Sequence, residues 1–212
     1  MNKKKIFLAI LALILIVIGI EEPMVLIFPM WICVYLAQDK LKILLQKIPP
    51  YISFIGAGLI FGLLTESFAV MENMSKPAEQ RIQLSPDPAT DLLFGLFYYL
   101  CVMLAWYLLL RKFKYSKKEV FFITGFYGIL VEETGQVFLR IFTVPVLGFL
   151  YATTVMFVYG IFPMLAQLLN ENRFENKEIS KIKRYGIAAV ALFVQYAIYG
   201  LLILPILKSI FS

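Results

Sequence analysis

Leu92–Lys118 reads LLFGLFYYLCVMLAWYLLLRKFKYSKK. Its first 19 residues carry no charge, and then Arg111, Lys112, Lys114, Lys117 and Lys118 fall within eight residues. Nineteen residues of α-helix rise ~28 Å, close to the ~30 Å hydrocarbon core of a bilayer. A cluster of Lys and Arg directly beside such a stretch marks the cytoplasmic side of a membrane. This one stretch therefore predicts an all-α membrane protein and fixes the direction of one span.

Working outward, the same alternation recurs. The chain has 212 residues, of which 61% are hydrophobic, against ~45–50% in soluble domains. Apolar runs predict helices over about 6–20, 24–37, 51–71, 92–110, 119–139, 146–169 and 185–207, with a short interfacial helix over 39–48 and a polar external loop over 72–91. Of the 20 Lys and Arg, sixteen fall in segments that this ladder places inside and four in those it places outside. The expectation is a polytopic helical bundle of about seven helices in the cell membrane. It forms a single transmembrane domain over 1–212, with the N-terminus cytoplasmic and the C-terminus outside. The net charge of +6 is spread between spans rather than gathered in one patch, which argues against nucleic acid. Gly19–Pro23 lacks a small-x-small cleavage site, so the first apolar run is read as a retained helix. It pairs with the second as a hairpin whose vertex is Glu21-Glu22-Pro23. Each run rises only ~22 Å, so the hairpin either crosses a thinned bilayer or is re-entrant.

Histidine is absent, which removes zinc-peptidase, His-based triad and haem-His chemistry. Two isolated cysteines, Cys33 and Cys101, make neither a metal site nor an expected disulfide. No metal and no cofactor is expected. Chemistry falls to carboxylates, Lys, Arg, Tyr and hydroxyls.

Tyr127–Arg140 (YGILVEETGQVFLR) carries Glu132, Glu133, Gln136 and Arg140 within an apolar segment. On one continuous helix these four share about a quarter of the circumference. A carboxylate at bilayer depth costs roughly 2.5–3.5 kcal/mol on insertion scales and so faces protein or water, which makes the stripe a site candidate. Phe61-Gly62-x-x-x-Glu66 parallels Tyr127-Gly128-x-x-x-Glu132, and Glu21 falls at a comparable depth in the first hairpin. Small residues allow close helix approach, so the pattern predicts that Glu66 and Glu132 converge and share a proton or a cation, unless Arg140 pairs with one of them. Glu66, Glu132 and Glu133 are the candidate catalytic residues. Glu21, Glu22, Gln136, Arg140, Tyr98 and Tyr127 are candidate substrate- or ion-binding residues. A solvated turn is the structural alternative for Glu21 and Glu22, and ordinary packing that for the tyrosines.

Ile20-Glu21-Glu22 running into an apolar segment resembles the acidic motif of membrane lycopene cyclase domains. Gly62-Leu63-Leu64-Thr65-Glu66 is similar to segments of carotenoid-hydratase-type membrane proteins. These resemblances imply acid catalysis on an isoprenoid-like, lipid-soluble substrate by Glu21, Glu22 or Glu66. A proton- or cation-coupled transporter or channel would use the same acids, with Gly160 and Pro163 as a kink. Glu132-Glu133 ahead of Arg140 also resembles the paired acids of glutamate-type intramembrane proteases. Without their histidines, that resemblance implies a non-catalytic accessory relative. Membrane lipids, a lipid-soluble substrate or a small cation are the expected partners.

Overall fold

In the computed structural model, Leu92–Lys112 lies within a helix that begins at Pro88, and the sequence shows why it begins there. Asp87 caps it by accepting from Thr90 N at 2.8 Å, and Pro88 occupies the first helical position, where a missing N–H costs nothing. The structure describes residues 3–77, 79, 81, 83–131, 135–174 and 177–211. The helices are α1 (Lys3–Ile18), α2 (Ile27–Leu45, entered through a 3-10 turn, Pro23–Leu26), α3 (Pro50–Met74), α4 (Pro88–Lys112) and α5 (Lys117–Val131). They continue with α6 (Gln136–Thr143), α7 (Pro145–Leu169), α8 (Lys181–Ile198) and α9 (Leu204–Phe211). A π-helical segment, Tyr199–Ile203, joins α8 to α9 as one rod. Among the described residues the β-type pairing is limited to an isolated bridge, Phe113 to Lys177.

Among the described residues five helical stretches are long and apolar enough to cross a membrane: Pro23–Leu45, Pro50–Met74, Pro88–Lys112, Pro145–Leu169 and Lys181–Phe211. Over the described residues the other two expected spans are shorter, α1 with 16 residues and α5 with 15. Other boundaries also move. The expected interfacial helix over 39–48 is the end of α2, because no Gly or Pro between Ala37 and Leu45 interrupts it. The helix expected over 119–139 is described as two, α5 and α6. Gly135 adopts a left-handed φ of 71° and cannot continue a right-handed helix. The loop expected over 72–91 is shorter, since α3 runs to Met74 and α4 starts at Pro88. Pro163 lies inside α7, which is helical on both sides of it.

α7 is the central element, with Ile161, Phe162, Leu165, Ala166, Leu168 and Leu169 all buried. α3 and α5 pack against it, and α4 packs antiparallel against α3. Trp106 of α4 is fully buried, donates from Nε1 to Thr124 Oγ1 of α5 at 2.9 Å, and meets the Tyr115 ring edge-on. α1 is peripheral: Ala12 is its one buried residue.

The Lys112 end of the bundle is closed by a polar clasp. Ser53 Oγ donates to Asn170 Oδ1 at 2.7 Å. Arg173 donates to the same oxygen, to Leu45 O and to Ile48 O, satisfying carbonyls at the corner between α2 and α3. Glu171 accepts from Lys117 at 2.6 Å and from Lys42 at 3.0 Å. The Lys117 hydrogen bond, with Lys42 beside it, holds the Glu171 carboxyl below its ordinary range. Arg184 pairs with Glu119 and donates to Lys114 O, while Tyr115 OH donates to Arg184 O. Burial pushes the Tyr115 hydroxyl up to about 12, so it remains a donor across the usual pH range.

Candidate functional site

The site is built where α3 and α4 face each other. On α3, Gly62 and Glu66 lie one turn apart. On α4, Gly95 and Tyr99 do the same in the opposite direction. The pairs are reciprocal. A Cβ on Gly62 would sit 2.6 Å from Tyr99 Cγ, and one on Gly95 would sit 3.1 Å from Glu66 Cγ. Each glycine is thus the seat of the other helix's functional side chain. The result is a hydrogen bond from Tyr99 OH to Glu66 Oε2 at 2.7 Å; the hydroxyls of the flanking Thr65 and Ser67 donate to their own helix, to Phe61 O and Leu63 O.

Aromatic rings pack on the Tyr99 side of the pair. Tyr99 meets Phe162 of α7 at 4.9 Å and Tyr98 at 5.5 Å between centroids. Tyr98 meets Tyr199 of the π segment at 5.4 Å, and Tyr199 OH donates to Phe94 O. One turn before Gly95 stands Asp91, 3% exposed, whose Oδ1 accepts from Leu84 N and Ser85 N. Asp91 thus holds the chain segment that enters α4, close to the acid end of the seam.

The structure sorts the other candidates differently. Glu132 and Glu133 lie outside the described residues. Gln136 and Arg140 do not continue the helix that carries Tyr127, because Gly135 ends that continuity; both are exposed on α6. Arg140 stacks over the Tyr151 ring of α7 at 4.5 Å, a cation–π contact rather than an ion pair with a described acid. The matched glycines have different neighbours: Gly62 receives Tyr99, whereas a Cβ on Gly128 would fall 2.0 Å from Tyr159 Cγ of α7. Close approach at Gly62 and Gly128 therefore serves the α3–α4 and α5–α7 contacts, not one shared contact between α3 and α5. Glu21 and Glu22 are exposed in the turn before Pro23, which docks on α3 through Met24 N donating to Glu72 Oε2. Tyr127 is buried and accepts from Gln195 Nε2 at 2.8 Å.

Tyr98 is the expected binding residue on α4, whereas the partner of Glu66 is its neighbour Tyr99, and Asp91, Tyr199 and Gln195 are not among the expected site residues. The signal for Tyr99 was present, as Gly95-x-x-x-Tyr99 repeats on α4 the spacing of Gly62-x-x-x-Glu66 on α3. Among the described residues no group of three or more His, Cys, Asp or Glu side chains converges to hold a metal. No protein family, no curated protein and no solved structure matches the chain.

Proposed function

We propose that this is a multi-pass protein of the cell membrane, N-terminus inside, that uses Glu66 with Tyr99 as an acid–base pair on a lipid-soluble substrate. The observation that carries the reading is the 2.7 Å Tyr99–Glu66 hydrogen bond, with the Tyr98 and Phe162 rings against Tyr99 and Tyr199 against Tyr98. A carboxyl group in apolar surroundings favours its neutral form and so holds a proton to give. Tyr99 OH steadies the carboxylate left when that proton leaves. Delivered to one carbon of a C=C bond, the proton creates a cation on the other carbon, which aromatic faces stabilise. Loss of a proton from a neighbouring carbon back to the Glu66 carboxylate restores the enzyme and leaves the double bond shifted. One acid suffices for both steps, and no redox partner is needed. Glu132 and Glu133 remain second candidates for the proton's further travel.

Deuterium tests this directly. Cells expressing the wild type in heavy water should place deuterium on carbon in an unsaturated lipid, and Glu66→Gln should abolish this while Glu66→Asp retains part of it. Equal labelling in the wild type and in Glu66→Gln would remove Glu66 from the chemistry.

A further inference from the structure

A groove runs between α4 and α8 along the face that leads to the tyrosines. Its volume is about 690 Å³, within the ~300–1,000 Å³ of small-molecule sites. Cys101, Ala105, Leu108 and Lys112 form one wall, and Ile187, Ala191, Gln195 and Ile198 the other. Both walls are helical stripes with steps of three or four residues, so the groove follows the helix axes. From Lys112 to Cys101 it rises ~16 Å, about half a hydrocarbon core.

Three features distinguish it from a packing defect. At one end stands Lys112, and Lys183 lies one turn before Ile187 on the same stripe; both are exposed, and neither has an acidic partner among the described residues. Along the wall, Gln195 is 6% exposed, its amide nitrogen is committed to Tyr127, and its Oε1 has no partner among the described residues. At the other end, Tyr98 lies one turn beyond Cys101 and stacks on Tyr199, where the rod becomes π-helical, a distortion frequent at functional sites. Behind Tyr98 is Tyr99, and behind that Glu66. The groove between α5 and α8 offers a contrast. Its charged end carries a carboxylate, Glu119, beside Lys118, and that carboxylate is bound to Arg184.

We propose that the α4–α8 groove binds a long-chain lipid phosphate monoester, its phosphate on Lys112 and Lys183 and its apolar chain directed at the Tyr98–Tyr199 pair. Two ammonium groups without an acidic partner among the described residues, at one end of a channel with apolar walls, complement a single anionic head on a single chain. The proposal rests on the Glu66 reading only for the fate of the chain's far end; binding in the groove stands separately. An unsaturated chain held this way brings its distal bonds toward the proton donor.

Cys33 and Cys101 are the only cysteines, so Cys33→Ser leaves a thiol in the groove wall as sole reporter. The experiment follows alkylation of Cys101 in detergent-solubilised full-length protein by a lipid-soluble maleimide, with hexadecyl phosphate, hexadecanol or hexadecyltrimethylammonium added. Hexadecyl phosphate should slow alkylation at least tenfold, with hexadecanol and the cation far weaker. Lys112→Gln with Lys183→Gln should raise the concentration needed at least tenfold, and Lys112→Arg with Lys183→Arg should restore it. Equal protection by all three amphiphiles, or protection indifferent to the lysine pair, would overturn the proposal in favour of a crevice that any chain fills. A Cys101 inert without any probe, in a protein that is dimeric by light scattering, would overturn it in favour of a second copy. Glu66→Gln should keep full Cys101 protection; if it does so without deuterium labelling differing from wild type, the groove survives and the acid–base reading fails.

Discussion

The α3–α4 seam and the clasp at the Lys112 end use polar groups in opposite ways. In the seam one carboxyl and one phenol meet, each seated on a glycine of the facing helix, with the Phe162 ring against the phenol. In the clasp each polar group has several partners: Asn170 holds Ser53, Arg173 and Ala166 O, and Glu171 holds two lysines. The exposed Glu171 pairs tolerate the loss of a member, since water replaces the missing partner, whereas Ser53 and Asn170 are buried and depend on each other and on Arg173. A lone pair positioned by shape tolerates no such loss. The seam should therefore respond to volume, and the clasp to charge and pH.

The sharpest way to break this contrast is steric. Gly62→Val places atoms where Tyr99 Cγ already stands, and neither the ring root nor the backbone can yield cheaply. Destabilisation of ~3 kcal/mol is expected, read as a lowered unfolding temperature in detergent with loss of the heavy-water labelling. Gly95→Ala meets the flexible Glu66 stem at 3.1 Å and should cost less while still displacing the acid. Next in size is Arg173→Ala. It strips donors from Leu45 O, Ile48 O and Asn170, for an expected loss of ~2 kcal/mol in the same assay. Tyr99→Phe keeps the ring on Gly62 and removes only the hydroxyl. Stability should fall by ~1 kcal/mol, yet labelling should fall tenfold or more, which separates the seam's chemical role from its packing role. The smallest effect is the pH response of the clasp. Because the native Glu171 carboxyl lies below its ordinary range, its contribution is complete above the ordinary glutamate value. That contribution is lost as pH falls through the lowered native one. Glu171→Gln should flatten that acid limb of the unfolding temperature and leave the neutral-pH value within a few tenths of a kcal/mol, as for other exposed pairs. A seam variant that altered this limb instead would dissolve the distinction.

Much of this was legible from composition and spacing, for identifiable reasons. The start of α4 follows from Asp87-Pro88, and Glu66 stands out because an acid in an apolar run is conspicuous. What escaped was anything that depends on which helix a residue faces. Gly62 and Gly128 look alike in the chain, yet one seats a tyrosine of α4 and the other a tyrosine of α7. Hydrophobic runs also hide breaks. Thr134-Gly135 was passed over inside an apolar stretch, although a glycine able to take φ near 71° is what ends it. Conversely, a change from apolar to basic residues at Asp39 suggested a new element where the backbone continues unbroken, since charge alone does not end a helix. Tyr98 and Tyr99 are neighbours in sequence, but ~100° of helical rotation sends one to the π segment and the other to Glu66.

The hook of Arg173 on Ile48 O also bears on how the chain is made. The two residues are 125 positions apart. At ~5–20 residues per second, synthesis would need roughly 6–25 s to supply the arginine after the corner at Pro49 has emerged. For that interval the corner's carbonyls must rely on solvent, and the first three helices form an open assembly awaiting a late fastener. Chains truncated just before Asn170 should therefore be targets for membrane quality control, while chains extended a few residues past Arg173 should escape it.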